Sequence, residues 1–281
     1  MSTIACCTLG CKVNQYDSQA MMEIFTRAGY EVVPFAAQAD VYLINTCTVT
    51  GTGDHKSMQM IRRAARRNPS ADLVVTGCMA QHAAESLRQL PGVRLVLGTQ
   101  RRAQVLELLR QAQALHTQIV AVEPLTYAGY ETLQVTASEG HTRATLKIQE
   151  GCDRHCTYCI IPTVRGPIRS RPLQDVRREA ERLAQAGFEE LVLTGIHLAS
   201  YGRDFEDGTT LYAAMEAVHA VEGVRRIRLG SLEPRIVDET FAHAMAKLPK
   251  VCPHFTLALQ SGSDTVLARM ARRYNTTQYA Q

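Results

Sequence analysis

The sequence predicts an α/β protein with two units. Short apolar runs that read as strands alternate with amphipathic stretches that read as helices, and this alternation occurs twice along the 281 residues. Such alternation favours parallel sheets covered by helices. A stretch without clear periodicity separates the two series, so we place the first unit at residues 1–115, a linker at 116–143 and the second unit at 144–281.

The first series predicts a parallel sheet with helices on both faces. Its predicted strands are Ile4–Leu9, Val41–Asn45, Leu73–Thr76 and Val93–Leu97. Its predicted helices are Ser18–Ala28, His55–Arg67, Ala83–Gln89 and Gln104–Ala112. Gly29, Pro69 and Pro91 stand where three of these helices would end.

The second series is typical of part of a β/α barrel. Its predicted strands are Thr145–Gln149, Glu190–Leu193, Arg226–Leu229 and His254–Leu259. Its predicted helices are Leu173–Ala186, Leu211–Val221, Asp238–Lys247 and Ser263–Arg273. About four strand–helix units therefore follow Arg143, and we expect the barrel to be incomplete.

Composition indicates a cytosolic protein. No apolar run approaches the roughly 20 residues of a membrane span, and the N-terminus does not resemble a secretory signal. In a reducing compartment, the nine cysteines are expected to be metal ligands, catalytic thiols or small buried side chains rather than disulfides. The net charge of +4 permits nucleic-acid binding but does not require it.

Three cysteines lie close together directly after the strand that opens the second series. Cys152, Cys156 and Cys159 stand at i, i+4 and i+7, a spacing that can turn three thiolates toward one 4Fe-4S cluster. Three protein ligands leave one iron open to chelate S-adenosylmethionine, from which a 5′-deoxyadenosyl radical can be made. The alternative is a zinc site with His155 as fourth ligand, although zinc sites favour two separated Cys-x2-Cys pairs.

Another three cysteines share a topological position in the first unit. Cys11, Cys47 and Cys78 each follow a predicted strand, and ligands of open parallel sheets bind outside the carboxyl ends of strands. We interpret them as a second three-thiolate site, with core packing as the alternative. The remaining thiols, Cys6, Cys7 and Cys252, are assigned to packing.

Beyond the cysteines, the motifs run nearly from end to end of the chain. The segments that carry recognisable motifs are Thr8–Ser18, Ile44–Thr50, Val74–Gln81, Ile148–Arg171, Leu193–Gly202, Arg228–Pro234 and Leu259–Asp264. With them the chain resembles the methylthiotransferase family of radical S-adenosylmethionine enzymes. The resemblance implies a flavodoxin-like N-terminal domain and a radical S-adenosylmethionine partial barrel, here incomplete and without the family's C-terminal RNA-binding β-barrel. A chain of this extent is expected to bind both clusters weakly and to turn over tRNA poorly.

The resemblance also implies the chemistry. Such enzymes replace an unactivated C–H bond with C–SCH3, and the cluster at Cys152, Cys156 and Cys159 would generate the radical. A second 4Fe-4S cluster, at Cys11, Cys47 and Cys78, would hold or deliver sulfur, and a second S-adenosylmethionine would donate the methyl group. The implied partners are tRNA, an electron donor such as a flavodoxin-type reductant, and a sulfur donor. No membrane partner is implied.

Two segments indicate the substrate branch. GCKVNQYDS and GIHLASYG look like the branch that modifies C2 of N6-threonylcarbamoyladenosine next to the tRNA anticodon. The alternatives are the branch acting on isopentenyladenosine in tRNA, the branch acting on a ribosomal-protein aspartate, and an inactive iron–sulfur fragment.

Further site residues follow from the resemblance. The candidates for binding S-adenosylmethionine are Tyr158, Thr194, Gly195, Ser231, Glu233, Gln260 and Ser261. Each of the Ser and Glu residues could instead cap the next helix, and the lone His55 and His197 are interpreted as surface or structural residues. For RNA contact we favour Arg165, Arg169 and Arg171, which follow the cysteine loop. Two other basic groups are candidates, one at Arg62, Arg63, Arg66 and Arg67, and one at Arg225, Arg226 and Arg228.

Overall fold

A computed structural model describes residues 1–126, 129–136 and 142–281; the other linker residues lie outside the described part. The chain forms two compact units. The first holds Met1–Leu125 together with Glu131–Leu133 and Thr163–Arg165, and the second holds the remaining described residues. The first unit thus continues beyond residue 115, because a short strand within the predicted linker joins its sheet.

The first unit contains one parallel sheet of six strands. The strands are β1 (Thr3–Thr8), β2 (Glu31–Val32), β3 (Val41–Thr46), β4 (Asp72–Gly77), β5 (Val93–Leu97) and β6 (Ile119–Ala121). Their spatial order is β2-β1-β3-β4-β5-β6. This is the flavodoxin-like order with one strand added, and it reverses between β1 and β3, where such sheets bind ligands.

Helices cover both faces of this sheet. They are α1 (Lys12–Arg27), α2 (Gly51–Arg67), α3 (Cys78–His82), α4 (Ala84–Arg88) and α5 (Val105–Ala114). Successive residues of β3 pack into different apolar clusters: Tyr42 and Ile44 lie in one, Val41 and Leu43 in the other. A strand that alternates between two cores is buried on both faces, which confirms the predicted fold class.

The second unit contains a four-stranded sheet. Its strands are β7 (Ala144–Glu150), β8 (Arg169–Ser170), β9 (Glu190–Gly195) and β10 (Arg226–Leu229). Their order is β8-β7-β9-β10, parallel except for β8. The helices are α6 (Ile161–Arg165), α7 (Leu173–Gln185), α8 (Leu211–His219), α9 (Glu239–Ala246), α10 (Asp264–Arg269) and α11 (Thr276–Ala280). The last three residues of α6 belong to the first unit.

One predicted strand is wrong. Residues 254–259 form one isolated bridge, between Leu257 and Leu232, and a second bridge joins Val251, which precedes this run, to Ile227. Pro253 has no N–H to donate to a ladder, which interrupts pairing between the two bridges. In the described part of the chain, every helix is too short or too polar to cross a membrane.

Candidate functional site

The first cysteine set lies at the carboxyl edge of the six-stranded sheet. Cys11 follows β1, Cys47 follows β3 and Cys78 begins α3 directly after β4. Burial raises the pKa of the Cys78 thiol, and the nearby Cys11 and Cys47 act in the same direction. A Cβ placed at Gly10 would lie 3.2 Å from the Sγ atom of Cys47. The fold therefore brings together three thiols that are distant in sequence.

Gly77 is required for this convergence. Its φ is +95°, in the region that favours glycine. A Cβ there would overlap Asn45 Oδ1 and the carbonyl oxygen of Thr46. Only glycine lets the turn before Cys78 approach the end of β3 so closely.

A buried polar network lies behind these thiols. The Nε atom of Arg165 donates to Cys78 Sγ at 3.2 Å, and its Nη1 atom lies 3.0 Å from Asp17 Oδ2. Its Nη2 atom donates to Asn14 Oδ1. Arg102 reaches the same Asp17 oxygen at 2.5 Å. All of these residues belong to the first unit.

The predicted RNA contact at three arginines is wrong. Arg165 and Arg171 are 0% exposed and Arg169 is 5% exposed. Arg171 donates to Glu179 at 2.6 Å and to the carbonyl of Lys147 at 3.3 Å. Because these side chains are enclosed in the protein, their guanidinium groups are not available to a phosphate.

The second cysteine set lies in the loop between β7 and α6. Cys152 and Cys156 are buried and Cys159 is partly buried. The Cys152 N–H donates to the Gly166 carbonyl, and the Cys159 N–H donates to the Cys156 carbonyl, both at 2.9 Å. Burial raises the pKa of the Cys152 thiol to about 11, and Cys159 and Cys156 add to the effect. The three thiols are therefore neighbours.

Basic side chains lie beside this loop. Arg272 Nη1 donates to Cys156 Sγ at 3.3 Å. Arg154 Nη2 and His197 Nε2 lie 3.2 Å and 3.4 Å from Glu233 Oε2. Burial alone would raise the pKa of Glu233, but the hydrogen bond with His197 and the charges of Arg154 and Arg272 lower it to about 2. Glu233 is thus an ionised anchor for the loop.

Sequence reasoning missed the roles of Arg154 and Arg272. Arg154 stands between two cysteines of the motif, which is a usable signal. Arg272 is separated from Cys156 by 116 positions, so nothing local links the two residues. His197 is held by its own backbone N–H to Gln149 Oε1 at 2.7 Å, a structural role that fits the sequence interpretation.

Among the other candidates for cofactor binding, Thr194 and Gly195 end β9, Ser231 and Glu233 follow β10, and Gln260 and Ser261 follow the segment 254–259. Thr194 is buried, Gly195 packs against Gln149, and Ser231 and Gln260 are exposed. Ser261 Oγ accepts from the Ser263 N–H at 3.2 Å, a local turn contact. Tyr158 is 50% exposed within the cysteine loop. Of the candidates outside this loop, Glu233 is joined to it by a side-chain ion pair, through Arg154.

Comparisons with known proteins agree with this arrangement. Residues 3–98 match the family described as "Uncharacterized protein family UPF0004", and residues 146–281 match the Radical SAM superfamily. The threonylcarbamoyladenosine tRNA methylthiotransferase MtaB of Bacillus subtilis is 46% identical over 98% of this chain and 61% of that protein. Its namesake from Aquifex aeolicus is 39% identical over 98% of this chain and 67% of that protein. The chain belongs to the MtaB branch of the radical SAM methylthiotransferases.

A third MtaB protein, from Thermotoga maritima, is 36% identical over 99% of this chain and 63% of that protein. The chain thus spans about two thirds or less of the length of these MtaB relatives, 61% to 67%. The family assignment rests on identity along nearly the whole chain and does not depend on any single helix pattern or cysteine set.

Solved structures show that the fold is shared beyond the MtaB branch. The radical S-adenosylmethionine methyltransferase TsrM from Kitasatospora setae, solved with cobalamin and a [4Fe-4S] cluster, has a TM-score of 0.64 and 14% identity. It is matched over 99% of this chain and 63% of its own. The cobalamin-dependent radical enzyme OxsB has a TM-score of 0.61 and 10% identity, over 99% of this chain and 46% of its own.

Membership of the radical SAM superfamily implies S-adenosylmethionine and one 4Fe-4S cluster. The second unit fits such a cluster, since it offers three neighbouring thiols with Arg272 beside one of them. Among residues 1–126, 129–136 and 142–281, no three His, Cys, Asp or Glu side chains gather closely enough to hold a single metal ion. A cluster places no such demand, because each of its cysteines binds a different iron.

Proposed function

We propose that this protein adds a methylthio group to C2 of N6-threonylcarbamoyladenosine, next to the anticodon of tRNA. The observation that carries the proposal is 46% identity over 98% of the chain with a relative named for that activity. The two separate three-cysteine sets support it, because methylthiolation needs both a hydrogen to be removed and a sulfur to be supplied.

Each unit has its own task in this proposal. Cys152, Cys156 and Cys159 hold the cluster that, with S-adenosylmethionine, supplies the radical. Cys11, Cys47 and Cys78 hold a second cluster that supplies sulfur. The open position left by three ligands is what each task requires.

Residues of the second unit prepare the site for the radical-generating cluster and for S-adenosylmethionine. The Nη1 atom of Arg272 donates to Cys156 Sγ at 3.3 Å and would lie beside this sulfur when it binds iron. Glu233 fixes Arg154 within the cysteine loop. Thr194 and Gly195 stand at the end of β9, at the edge where barrel enzymes bind their ligands, and would contact S-adenosylmethionine together with Tyr158. Ser231, Gln260 and Ser261 remain candidates for the same cofactor.

Helix α2 offers a surface for tRNA in place of the buried arginines. Its basic residues are His55, Lys56, Arg62, Arg63, Arg66 and Arg67. At about 100° per residue they fall within an arc of roughly 140° on one side of the helix, opposite the buried Ser57, Ile61 and Ala64. The four arginines are exposed or partly exposed, and within the described part of the chain none of them pairs with a carboxylate.

The position of α2 suits a substrate that must reach the first cysteine set. Ser57 Oγ donates to the carbonyl of Cys47 at 3.0 Å and accepts from its N–H at 3.2 Å. Burial raises the pKa of Cys7 in β1, and the charge of Arg63 opposes this, so Arg63 lies near the same edge of the sheet. Phosphates of a bound tRNA would meet unpaired cations there.

The proposal includes two further partners and a compartment. A flavodoxin-type reductant would provide electrons, and a separate donor would restore sulfur. Both belong to the cytoplasm, where the free thiols of all nine cysteines would persist.

Mass spectrometry of nucleosides tests the proposal. The anaerobically reconstituted chain is incubated with S-adenosylmethionine, dithionite and tRNA that carries N6-threonylcarbamoyladenosine, and the tRNA is then digested. We expect a nucleoside heavier by one methylthio group in place of hydrogen, above the level given by Cys156→Ala. Cys252→Ala is the matched control and should keep the product. Product on isopentenyladenosine instead, or product that persists in Cys156→Ala, would contradict the proposal.

A further inference from the structure

Arg165 is an unusual neighbour for a metal-ligand cysteine. Its side chain is 0% exposed, and its Nε atom lies 3.2 Å from Cys78 Sγ. We propose that Arg165 sets the reduction potential of the cluster held by Cys11, Cys47 and Cys78, through this N–H···S hydrogen bond. The inference rests on the proposed second cluster and assigns a positioning residue to it.

The direction of the effect follows from charge. A guanidinium stays protonated at any physiological pH. One-electron reduction adds a negative charge to the cluster and its ligand sulfurs, so a cationic donor at a ligand sulfur stabilises the reduced form more than the oxidised form. Hydrogen bonds to the sulfurs and local net charge are recognised determinants of cluster potentials. Arg165 should therefore make the potential less negative.

The guanidinium is held in one orientation. Asp17 binds its Nη1 atom at 3.0 Å, and Asn14 Oδ1 accepts from its Nη2 atom. Because a planar guanidinium is fixed once two of its nitrogens are bound, the Nε–H remains aimed at Cys78. Arg102 pairs with the same Asp17 oxygen and holds that carboxylate in place.

Asn14 connects this network to the other two cysteines. Its Nδ2 atom donates to the carbonyl of Leu9 at 2.7 Å and to the carbonyl of Thr46 at 3.0 Å. Leu9 lies two positions before Cys11, and Thr46 directly precedes Cys47. Asn14, which orients Arg165, thus also fixes the backbone that precedes Cys11 and Cys47. The same hydrogen-bond network therefore positions the Arg165 donor and all three cysteines.

Redox titration followed by electron paramagnetic resonance tests the inference. Every protein carries Cys152→Ala, Cys156→Ala and Cys159→Ala, so that only the second cluster contributes. We expect Arg165→Gln to shift the midpoint potential to more negative values. The midpoint potential of Arg165→Lys should lie between those of Arg165→Gln and the parent. Arg102→Lys is the control, since it disturbs the same Asp17 carboxylate but leaves the donor to Cys78, and it should titrate near the parent.

Three results would overturn the inference. Arg165→Gln could titrate at the parent's potential, Arg102→Lys could shift as far as Arg165→Gln, or Arg165→Gln could keep its melting temperature yet bind no cluster, which would make Arg165 an assembly residue. A variant that loads little iron still reports a potential, because the resonance arises only from loaded protein. Failure of the proposed second cluster is a separate outcome: the parent triple variant would then hold no iron at all.

Discussion

Buried arginines in this chain are paired with buried carboxylates. Arg171 is enclosed, and its Nη2 atom lies 2.6 Å from Glu179, which is itself 0% exposed. A buried ion pair contributes little net free energy, but removal of one partner leaves the other charge without compensation. The contribution of such a residue to the free energy of unfolding is therefore measured by replacing it and leaving its partner in place.

Arg171→Met should lower the free energy of unfolding by about 3 kcal/mol, because the buried Glu179 carboxylate would lose its partner at 2.6 Å. Urea denaturation measures this. Arg177→Met is the control, since Arg177 pairs with Glu181 on the same helix but its side chain is 59% exposed, and it should cost less than about 1 kcal/mol. Full stability of Arg171→Met combined with weaker tRNA binding would restore the phosphate role that the sequence suggested.

The positions of the cysteines at strand ends could be predicted from the sequence, and the partners of the arginines could not, for a physical reason. Cys11 and Cys78 follow a glycine at the end of an apolar run, and that local pattern fixes their place at a sheet edge. Arg165 is separated from Asp17 by 148 positions. A run of basic residues looks the same in sequence whether its charges face solvent or a distant carboxylate.

At the level of elements, the turn between β4 and α3 determines the first cysteine site. Gly77→Ala should cost about 2 kcal/mol through its φ of +95° alone, and the new Cβ would also push β4 away from Asn45 and Thr46. We expect reconstituted protein to lose iron from this site. Gly208→Ala is the control, because φ at Gly208 is +75° but nothing lies within 4 Å of its Cβ position. Equal iron in the two variants would show that the close approach at Gly77 is not required.

The pairing of β9 with β10 should depend on pH. Hydrogen bonds from Arg226 and Arg228 hold the pKa of Glu190 below its ordinary value of 4.5. Since the folded pKa lies below that of the unfolded chain, the pair stabilises the fold above about pH 4.5 and its contribution fades as pH falls through the folded pKa. Glu190→Gln should therefore melt below the parent at pH 7, with a difference that narrows below pH 4.5. A difference that is constant with pH would refute the assignment.

The basic face of α2 should determine the salt dependence of tRNA binding. In a double variant, Arg62→Gln with Arg66→Gln, the slope of log affinity against log salt should become shallower by about 0.7 to 0.9 for each phosphate that the helix no longer neutralises. The control is Arg177→Gln with Arg178→Gln on α7, where both arginines are paired with carboxylates of their own helix. Identical slopes for the two double variants would exclude α2 as the tRNA-binding surface.

Two elements show where periodicity misleads. Helix α1 begins at Lys12 rather than at Ser18, because the polar residues Asn14 and Asp17 are buried in the network around Arg165 instead of lying in a loop. The apolar run at 254–259 has the composition of a strand, yet only Leu257 forms an isolated bridge and no residue of the run is fully buried. Strand-like composition alone therefore does not predict ladder formation, which depends on the context of the run.

For the whole molecule, the repeated strand–helix alternation predicts two units, and the structure divides into two compact units. The alternation could not show that Thr163–Arg165 packs within the first unit although it follows Cys159 closely in sequence. That placement depends on a buried ion pair and a hydrogen bond to Cys78. Contacts of this kind join residues that are distant in sequence, so they leave no periodic pattern from which they could be predicted.

The central claim is that this chain holds two independent clusters, each on three cysteines. Iron and sulfide content after anaerobic reconstitution tests it most directly, for the wild type, for the Cys11→Ala, Cys47→Ala, Cys78→Ala variant and for the Cys152→Ala, Cys156→Ala, Cys159→Ala variant. We predict about eight irons for the wild type and about four for each triple variant, as two 4Fe-4S clusters require. Zinc in place of iron, or a variant that keeps the full iron content, would contradict the account.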